Sequence, residues 1–337
     1  ESFGTIGLTG TPTYLTDADE FSPVADYTII PSKGTMSAPN YDFQFVNGKL
    51  SVAKATVTVK AVDTTRYYCF ANPVFRAAFS GFRNNEDFAS SGIVGYPSLT
   101  VAADESTPIG AISIVAAVGN NFTSRNYQFV FQNGSMNILK AVLTVKADRL
   151  EKFYGDPRPD LTYSITGFRP GESFGGSIAS GEPVLQNTVD EFSIPGKYPI
   201  TISLGTLQAG NYDFTLLKDS MVVKKAPLTV KALPATREYG EANPAFSAVI
   251  SGYKNGQDSA SSGYTGLPGF TTIAGPSTPV NEGGYPILPT LGSLAAQNYS
   301  FAFDTASLTI TRAPLKVYAV DTFRSYGYPN PAFRANY

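Results

Sequence analysis

Pairs of acidic residues recur along this sequence and are the first candidates for chemistry. Two carboxylates can serve a glycosidase when they lie about 5–10 Å apart across a cleft, and calcium takes about six to eight oxygen ligands. The pairs are adjacent in sequence and no Asp-x-Asp-x-Asp-Gly loop is present, so we expect solvated loops, with calcium between modules as the alternative. They are Asp19-Glu20, Asp104-Glu105, Asp190-Glu191 and the variant Asn281-Glu282.

Histidine is absent and cysteine occurs once, which restricts catalysis further. Without histidine there is no Ser-His-Asp set, and the commonest general base and metal ligand is lacking. Cys69 has neither a base to activate it nor a disulfide partner, so we interpret it as a small structural residue. The sequence predicts no enzyme, no catalytic residue and no cofactor.

A repeat carries these residues. Its opening segment, Ala-Thr-Val-Thr-Val-Lys-Ala at Ala55, recurs at Ala141, Ala226 and Ala313, with spacings of 86, 85 and 87 residues. An Asn-Tyr pair always precedes the next leading alanine by 15 residues. These pairs are Asn40-Tyr41, Asn126-Tyr127, Asn211-Tyr212 and Asn298-Tyr299. The regular spacing indicates a tandem array.

A further tyrosine follows each leading alanine by 13 residues and opens what we call the Tyr-Gly loop. The tyrosines are Tyr68, Tyr154, Tyr239 and Tyr326; the next residue is Gly155, Gly240 or Gly327 in three copies and Cys69 in the other. If the glycine adopts a positive φ, Cys69 is mildly strained at that position.

The repeat divides the chain into three complete modules and two partial ones. The complete repeats are predicted at 55–140, 141–225 and 226–312, with the C-terminal part of an earlier repeat at 1–54 and the N-terminal part of a later one at 313–337. Glu1 aligns with Glu86, and Tyr337 aligns with Phe79 in a predicted strand. We therefore interpret the chain as a window on a longer protein.

Within a module the hydrophobic pattern is that of β-strands. Val57, Val59 and Ala61 alternate with polar residues, which is typical of a strand with one buried face. Asn133-Gly134 lies between alternating apolar runs and predicts a hairpin. Residues 85–91 have acidic residues after a cap-like start and predict one short helical turn.

The predicted fold is mostly β, a tandem array of small modules of about 86 residues that form an end-to-end rod. Each module has about six strands and one short helical turn and is either β-grasp-like or a small β-sandwich. Residues 50–59 join two modules without a Gly, Pro or Ser-rich linker, so we expect a stiff junction.

The repeated polar residues have structural and functional interpretations. We expect the tyrosines of the Tyr-Gly loops to pack those loops against their own module, with stacking on sugars as the alternative. A basic residue stands two positions before each, at Arg66, Lys152, Arg237 and Arg324. We expect its stem to lie on a neighbouring ring with its charge in water, a stripe for acidic glycans being the alternative.

The charge balance excludes two classes of partner. The chain has 25 basic and 27 acidic residues, a net charge of −2 and no run of one sign. We therefore predict no binding to nucleic acid and none to anionic membranes. No continuous apolar stretch is long enough for a transmembrane helix, so we also predict no membrane insertion.

The chain resembles the MBG-type repeats (the YGX/YDG group) of very large secreted proteins, many of them from Bacteroidota. The matching features are Ala-x-Leu-Thr-Val-Lys-Ala, Tyr-Gly-x-x-Asn-Pro-x-Phe and Asn-Tyr-x-Phe before the closing strand, and together they cover the whole chain. The resemblance implies a cell-surface or secreted adhesin whose repeats build a filamentous stalk. It implies no catalytic residue.

The predicted function is a structural stalk that holds a binding domain away from the cell. A strand of about ten residues at about 3.3 Å per residue makes each module about 35 Å long. Modules arranged end to end then give a length of roughly 130–150 Å for this chain. The alternative is a multivalent array that binds glycans or proteins weakly at each repeat. The expected partners are neighbouring repeats of the chain, other copies in a fibre joined through exposed strand edges, and surface glycans or proteins.

Overall fold

The computed structural model describes residues 6–176 and 178–337, and within these residues every regular element is a β-strand. Residues 6–54, the tail segment, contain β1 (Thr13–Leu15), β2 (Asp26–Ser32) and β3 (Gly48–Ser51). With the partial repeat at 1–54 counted as the first, residues 55–140 are the second repeat, 141–225 the third and 226–312 the fourth. The second repeat contains β4 (Ala55–Ala61), β5 (Thr64–Tyr67), β6 (Ala77–Ser80), β7 (Ser98–Val101), β8 (Gly110–Ala117), β9 (Tyr127–Gln132) and β10 (Gly134–Leu139).

The third and fourth repeats continue the pattern. The third contains β11 (Ala141–Ala147), β12 (Leu150–Phe153), β13 (Tyr163–Thr166), β14 (Ala179–Ser180), β15 (Val184–Gln186), β16 (Gly196–Ser203), β17 (Gln208–Ala209), β18 (Tyr212–Leu217) and β19 (Asp219–Lys224). The fourth contains β20 (Ala226–Ala232), β21 (Ala235–Glu238), β22 (Ala248–Ser251), β23 (Gly269–Thr271), β24 (Tyr285–Thr290), β25 (Tyr299–Asp304) and β26 (Ala306–Thr311). Residues 313–337, the head segment, contain β27 (Tyr318–Ala319) and β28 (Ala335–Asn336).

A complete repeat contains two mixed sheets, to which the third repeat adds the two-stranded sheet β14-β17. In the second repeat β4 lies between antiparallel β6 and parallel β9, with Ala55 opposite Tyr127 and Val57 opposite Phe129. The chain then crosses to a second sheet of order β5-β10-β8-β7, in which β5 and β10 are parallel. The fourth repeat has the same two sheets, with strand orders β22-β20-β25 and β21-β26-β24-β23. The parallel pairs join distant parts of each repeat and therefore fix its register.

The first strand of each repeat supplies the core. Val57, Val59 and Ala61 are fully buried, as the alternation predicts. Phe122 packs in one core cluster with Val57 and Val59 and stacks on Phe129 with ring centroids 4.2 Å apart. Burying a large apolar side chain contributes about 1.5–3 kcal/mol, so these few side chains account for much of the cohesion of each small module.

The mostly β class and the tandem array are confirmed, and the predicted helical turn is present only as a turn with one i to i+4 hydrogen bond, without a helix. Residues 85–91 form hydrogen-bonded turns, in which the N–H of Ser91 donates to the carbonyl of Asp87 at 2.9 Å. Asn84 and Asn85 both have φ of 56°, a left-handed conformation that does not continue into a right-handed helix. The second repeat has seven strands, close to the predicted number of about six.

The described residues divide into two compact units. Unit 1 comprises 1–143, 167–181 and 207–215; unit 2 comprises 144–166, 182–206 and 216–337. The partial repeats differ from the complete ones, because no described residue of the tail segment and no residue of 311–337 is buried. No helix in the described part of the chain is long and apolar enough to cross a membrane.

Candidate functional site: the junctions between repeats

The recurring tyrosines meet at the junctions between consecutive repeats. At the junction of the second and third repeats, which lies within unit 1, the ring of Tyr68 packs edge-on against Tyr212 with centroids 5.3 Å apart. Tyr68 comes from the second repeat and Tyr212 from the third. Tyr68 therefore contacts the next repeat, a contact that the expected packing against its own module did not include.

One carboxylate connects the two rings. The hydroxyl of Tyr68 donates to Glu172 Oε1 at 2.6 Å, and that of Tyr212 donates to Glu172 Oε2 at 2.5 Å. The Tyr212 hydroxyl also accepts the backbone N–H of Arg169 at 3.0 Å. We call the arrangement of the Asn-Tyr tyrosine, this acidic side chain and this backbone N–H the tyrosine pocket.

The pocket keeps both tyrosines protonated. Burial, together with the hydrogen bond to Glu172, raises the pKa of Tyr68 above its ordinary value. Burial likewise raises the pKa of Tyr212, with contributions from its hydrogen bonds to Cys69 and Glu172. Both hydroxyls thus remain donors to a single carboxylate. Hydrogen bonds to a charged acceptor are stronger than those between neutral groups.

Cys69 belongs to this junction and is strained as the sequence predicts. Its φ is 72°, close to the 77° of Gly155 and the 91° of Gly240 at the same position of the repeat. A non-glycine residue in this conformation costs roughly 1–2 kcal/mol. Its sulfur lies 3.3 Å from the Tyr212 hydroxyl, so the side chain occupies space beside the pocket.

The junction of the third and fourth repeats, within unit 2, has the same geometry with different polar groups. Tyr154 packs against Tyr299 at 5.5 Å between centroids. The Tyr299 hydroxyl donates to Gln257 Oε1 at 2.6 Å and accepts the N–H of Lys254 at 3.0 Å. The Lys254 ammonium also pairs with Asp156 at 2.8 Å, and this ion pair has no counterpart at the earlier junction among the described residues.

The tyrosine pocket of the second repeat has the same internal bonds. Tyr127 donates to Glu86 Oε2 at 2.6 Å and accepts the N–H of Arg83 at 3.0 Å. This pocket is an open cavity of about 370 Å³, lined also by Glu20 and Val24 of the tail segment. Three pockets of one design therefore occur in the described residues, two of them filled by a tyrosine from the preceding repeat.

The asparagine of each Asn-Tyr pair also reaches the preceding repeat. Asn126 Oδ1 accepts the N–H of Val24 at 3.1 Å, and Asn211 Oδ1 accepts the N–H of Ile109 at 3.3 Å. The corresponding position before Asn298 is Pro195, which has no N–H. Asn298 Oδ1 is buried and has no hydrogen-bond partner, which is costly for a polar atom.

The basic residues before the tyrosines do not extend into water. Arg66, Lys152 and Arg237 are 5%, 6% and 5% exposed. The Lys152 ammonium donates to the carbonyls of Asp156 and Asp190, both at 2.5 Å, and burial lowers its pKa. The expected position of the charge in solvent is therefore wrong at these three sites, and a basic stripe is excluded there. The cations instead hold two loops together.

The acidic pairs form the opposing loops. Asp104 Oδ1 accepts the N–H and the hydroxyl of Ser106 at 2.8 and 2.6 Å, and these bonds hold the pKa of Asp104 below its ordinary value. The backbone carbonyl of Asp104 accepts a hydrogen bond from the guanidinium of Arg66. No group of three or more His, Cys, Asp or Glu side chains within reach of one metal ion occurs in the described residues.

The remaining marker tyrosines are Tyr41 and Tyr326 in the partial repeats and Tyr239 in the fourth repeat, and they are more exposed. Tyr239 is 46%, Tyr41 is 49% and Tyr326 is 101% exposed, against 3% for Tyr68 and 4% for Tyr154. The structure therefore brings marker tyrosines together at the junction of the second and third repeats and at that of the third and fourth. The relevant signal in the sequence was the acidic or amide residue that recurs at Glu86, Glu172 and Gln257.

The fold and the junctions define an all-β tandem-repeat protein. The sequence profile of the family "MBG domain (YGX type)" matches residues 57–137, 143–221 and 228–309, so the chain belongs to this family. No curated protein matches the chain in sequence.

The solved structures that match the chain are remote in both sequence and structure. Drosophila N-cadherin EC1-4 is 10% identical, with 90% of this chain and 93% of that chain covered and a TM-score of 0.19. The N-terminal eight Ig domains of Down Syndrome Cell Adhesion Molecule isoform 1.30.30 are 10% identical, with 91% and 49% covered and a TM-score of 0.17. At these TM-scores the similarity carries no argument about function.

Proposed function

We propose that the chain is a structural spacer, a stalk segment of a secreted or cell-surface adhesin or fibre that projects a binding domain away from the cell. The observation that carries this proposal is the filled tyrosine pocket. Tyr68 and Tyr154 are each buried in contact with a tyrosine of the next repeat, and Tyr154 lies in one core cluster with residues of both repeats. Coupling of this kind resists bending between neighbours and turns chain length into distance.

Three further features support the spacer. The recurring acidic and basic side chains that could bind a ligand form hydrogen bonds within the chain. The described acidic turns accept from their own backbones, and the buried cations donate to backbone carbonyls. The closing strand β10 is followed by β11 after one residue, Lys140, so no flexible linker separates the repeats. Membership of the MBG family is consistent with an extracellular array of such repeats.

Small-angle X-ray scattering of the chain tests the proposal. We expect a maximum dimension of roughly 130–150 Å that calcium does not change, extrapolated to low concentration. Tyr68→Ala and Tyr154→Ala should broaden the distribution of dimensions, because each empties a pocket that holds two repeats together. The matched control is Tyr67→Ala, whose ring is 54% exposed beside Tyr68.

Two results would reject the spacer. A compact particle would show that the repeats fold back on one another. A dimension that depends on calcium would show that ions rather than tyrosines set the junctions, and the calcium alternative would then replace our interpretation.

A multivalent glycan-binding array is the second candidate function, and two surface grooves favour it. Tyr67 and Phe153 occupy the same repeat position, are 54% and 44% exposed, and line grooves of about 560 and 420 Å³. Pro157 and Pro159 complete the second groove beside Lys224. Exposed aromatic faces next to charged groups can stack on sugar rings.

A glycan panel probed with the whole chain decides this second function. Binding that Phe153→Ala and Tyr67→Ala weaken, and that Phe192→Ala leaves unchanged, would support it. Phe192 is the matched control because it is 66% exposed and does not line either groove. An absence of binding across the panel would remove the candidate.

A further inference from the structure

An open cavity of the third repeat is lined by three lysines. It measures about 550 Å³ and lies entirely within unit 2. The residues that line it are Lys146, Lys197, Pro199, Lys218, Asp219 and Ser220. None of them lines the grooves of Tyr67 and Phe153, so this is a separate feature of the surface. We call it the lysine cavity.

The fold brings the three lysines together where the two mixed sheets of the repeat meet. Lys146 lies on β11 in the first sheet and Lys197 on β16 in the second. Lys218 is the single residue between β18 and β19, where the chain crosses from the first sheet to the second. Pro199 lies opposite Ser220 in the pairing of β16 with β19. The cluster therefore depends on the arrangement of the sheets and is not a run of charge in the sequence.

One of the three ammonium groups already has a carboxylate beside it. Lys146 Nζ lies 3.6 Å from Asp219 Oδ2. Asp219 Oδ1 accepts the N–H of Ser220 at 2.8 Å. Although burial alone would raise the pKa of Asp219, this N–H and the Lys146 ammonium hold it below its ordinary value. Asp219 is thus ionised at neutral pH and balances part of the charge of Lys146.

The other two ammonium groups have no counter-charge. Lys197 and Lys218 are exposed and form no hydrogen bond or ion pair with any described residue. Three lysines against one aspartate leave an excess of two positive charges at the cavity, in a chain whose net charge is −2. A concave surface lined by one sign of charge concentrates ligands of the opposite sign. The lysine cavity therefore attracts anions.

The other two complete repeats lack the cluster. The register of the strands gives the counterparts of Lys197 and Lys218, and all of them are uncharged: Ala111 and Asn133 in the second repeat, Gly284 and Thr305 in the fourth. The position of Lys146 is basic in all three, as Lys60 and Lys231. The cavity is thus particular to the third repeat and is not a consequence of the architecture that the repeats share.

The lining of the cavity distinguishes between classes of anion. None of the lining residues is aromatic, so the bases of a single-stranded nucleic acid have no ring on which to stack. Pro199 is the only apolar lining residue, which is too little apolar surface to enter a lipid layer. An ammonium group binds anionic oxygens as a point charge and requires no fixed geometry. The volume is typical of a small-molecule site, about 300–1,000 Å³, and admits a short stretch of a sugar chain.

We propose that the lysine cavity binds an acidic polysaccharide through its carboxylate or sulfate groups. Lys197 and Lys218 supply the main contacts, and Lys146 adds the part of its charge that Asp219 does not balance. Pro199 offers an apolar surface to the carbon atoms of a sugar ring. The site goes beyond the spacer function, which needs no ligand. It also differs from a multivalent array, because it occurs in one of the three complete repeats.

Isothermal titration calorimetry of the whole chain tests the site. The probes are heparin, which is sulfated, polygalacturonate, which is carboxylated, and dextran, which is neutral. We expect at least one of the two acidic polysaccharides to bind and dextran not to bind, and the acidic probe that binds identifies the anionic group. Added salt should weaken the binding, because exposed charges are screened over about 10 Å at 0.1 M ionic strength.

Two double variants with the same change of charge separate the cavity from general attraction. Lys197→Gln combined with Lys218→Gln should weaken binding about tenfold, the effect of losing two exposed ion pairs. Lys60→Gln combined with Lys231→Gln is the matched control, because both lysines are exposed and neither lines the cavity. The control should bind as the unsubstituted chain does. Circular dichroism checks that each variant is folded.

Removing the competing carboxylate should have the opposite effect. Asp219→Asn frees Lys146 from its ion pair and should tighten binding about threefold. Unchanged or weaker binding would contradict an anionic ligand at this cavity.

Three further outcomes would overturn the proposal. The first is an absence of binding to both acidic polysaccharides. The second is an equal loss in the two double variants, which would indicate attraction to the whole surface. The third is equal affinity for a DNA duplex or for phosphatidylglycerol vesicles. The spacer can fail separately, because scattering without polysaccharide reports the dimension of the chain and calorimetry reports the cavity.

Discussion

The two filled junctions hold the same pair of rings with different polar chemistry. In unit 1 the carboxylate of Glu172 accepts both hydroxyls, whereas in unit 2 Gln257 accepts from Tyr299 and an ion pair of Lys254 with Asp156 lies alongside. The ring contacts are nearly equal, at 5.3 and 5.5 Å. The comparison indicates that ring burial sets the junction and that the polar groups adjust around it.

The asparagines show a second difference. Asn211 receives an N–H from the preceding repeat, but Asn298 faces the position of Pro195 and its oxygen is unpaired. The backbone at the Tyr-Gly loop differs too, because Cys69 is strained in one junction while Gly155 is relaxed in the other. Each junction thus has one well-satisfied feature and one poorly satisfied one.

Removing the ring should have the largest effect. Tyr68→Ala and Tyr154→Ala should each lower the free energy of unfolding by about 3–5 kcal/mol, because a buried aromatic side chain is replaced by a cavity. The measurement is chemical denaturation, with hydrogen exchange to locate the change. Equal losses would support ring burial as the common determinant. A loss confined to Tyr68→Ala would assign the difference to Glu172.

Exchanging the residue after each tyrosine should have opposite effects. Gly155→Cys should destabilise by about 2–3 kcal/mol, since it adds left-handed strain and crowding. A β-carbon at Gly155 would lie 2.2 Å from Cβ of Lys254. Cys69→Gly should stabilise by about 1 kcal/mol through relief of strain. Thermal unfolding of both variants measures this, and a destabilised Cys69→Gly would mean that the sulfur contact with Tyr212 outweighs the strain.

Converting the first junction to the chemistry of the second should have a smaller effect. Glu172→Gln should cost about 1 kcal/mol, because it replaces a charged acceptor by a neutral one. The exposed Glu105→Gln serves as the control. No change in stability would show that the charge is irrelevant to the junction.

The same variant should alter the alkaline titration. Burial and the hydrogen bond to Glu172 raise the pKa of Tyr68. The protonated Tyr68 therefore stabilises the folded state fully below about pH 10, and this stabilisation is lost as the pH rises through the pKa of the folded protein. Glu172→Gln should therefore bring tyrosine ionisation to lower pH, followed by the ultraviolet absorbance of tyrosinate. An unchanged titration would contradict the bond between the two residues.

Restoring the absent donor should have the smallest effect. Pro195→Ala supplies an N–H for Asn298, which is worth about 1 kcal/mol, but it also frees the unfolded chain at a cost of about 0.4–1 kcal/mol. We expect a net change of a few tenths of a kcal/mol. The reverse change, Ile109→Pro, removes a bond from the other junction and should destabilise by about 1 kcal/mol. A stabilised Ile109→Pro would show that this bond does not contribute.

Much of the fold follows from short-range patterns in the sequence. The alternation of Val57, Val59 and Ala61 correctly predicts a buried strand face. The hairpin predicted at Asn133-Gly134 is wrong, because β9 pairs with β4 in one sheet while β10 pairs with β5 and β8 in the other. Residues 85–91 form one turn with an i to i+4 hydrogen bond but no longer helix, because Asn84 and Asn85 before it adopt a left-handed conformation that capping patterns do not indicate. Local propensity is decisive only where tertiary contacts agree with it.

The candidate site was harder to predict. The repeated positions of Tyr68, Tyr154 and their neighbours were visible, but a repeat alone does not say whether a side chain packs on its own module or on the next one. The burial of Arg66 and Lys152 was also missed, since the opposing carbonyls lie 38 residues further along the chain. Backbone acceptors leave no signal in the sequence.

The sequence by itself determined the period of the array, the β class and the identity of the residues that recur, because side-chain alternation and turn chemistry act over a few residues. Only the tertiary structure decided which repeat each tyrosine enters and which carboxylate receives it. Tyr68 and Glu172 are 104 residues apart, and folding alone brings their oxygens to 2.6 Å. Long-range contacts of this kind depend on the register of whole sheets, which no local pattern encodes.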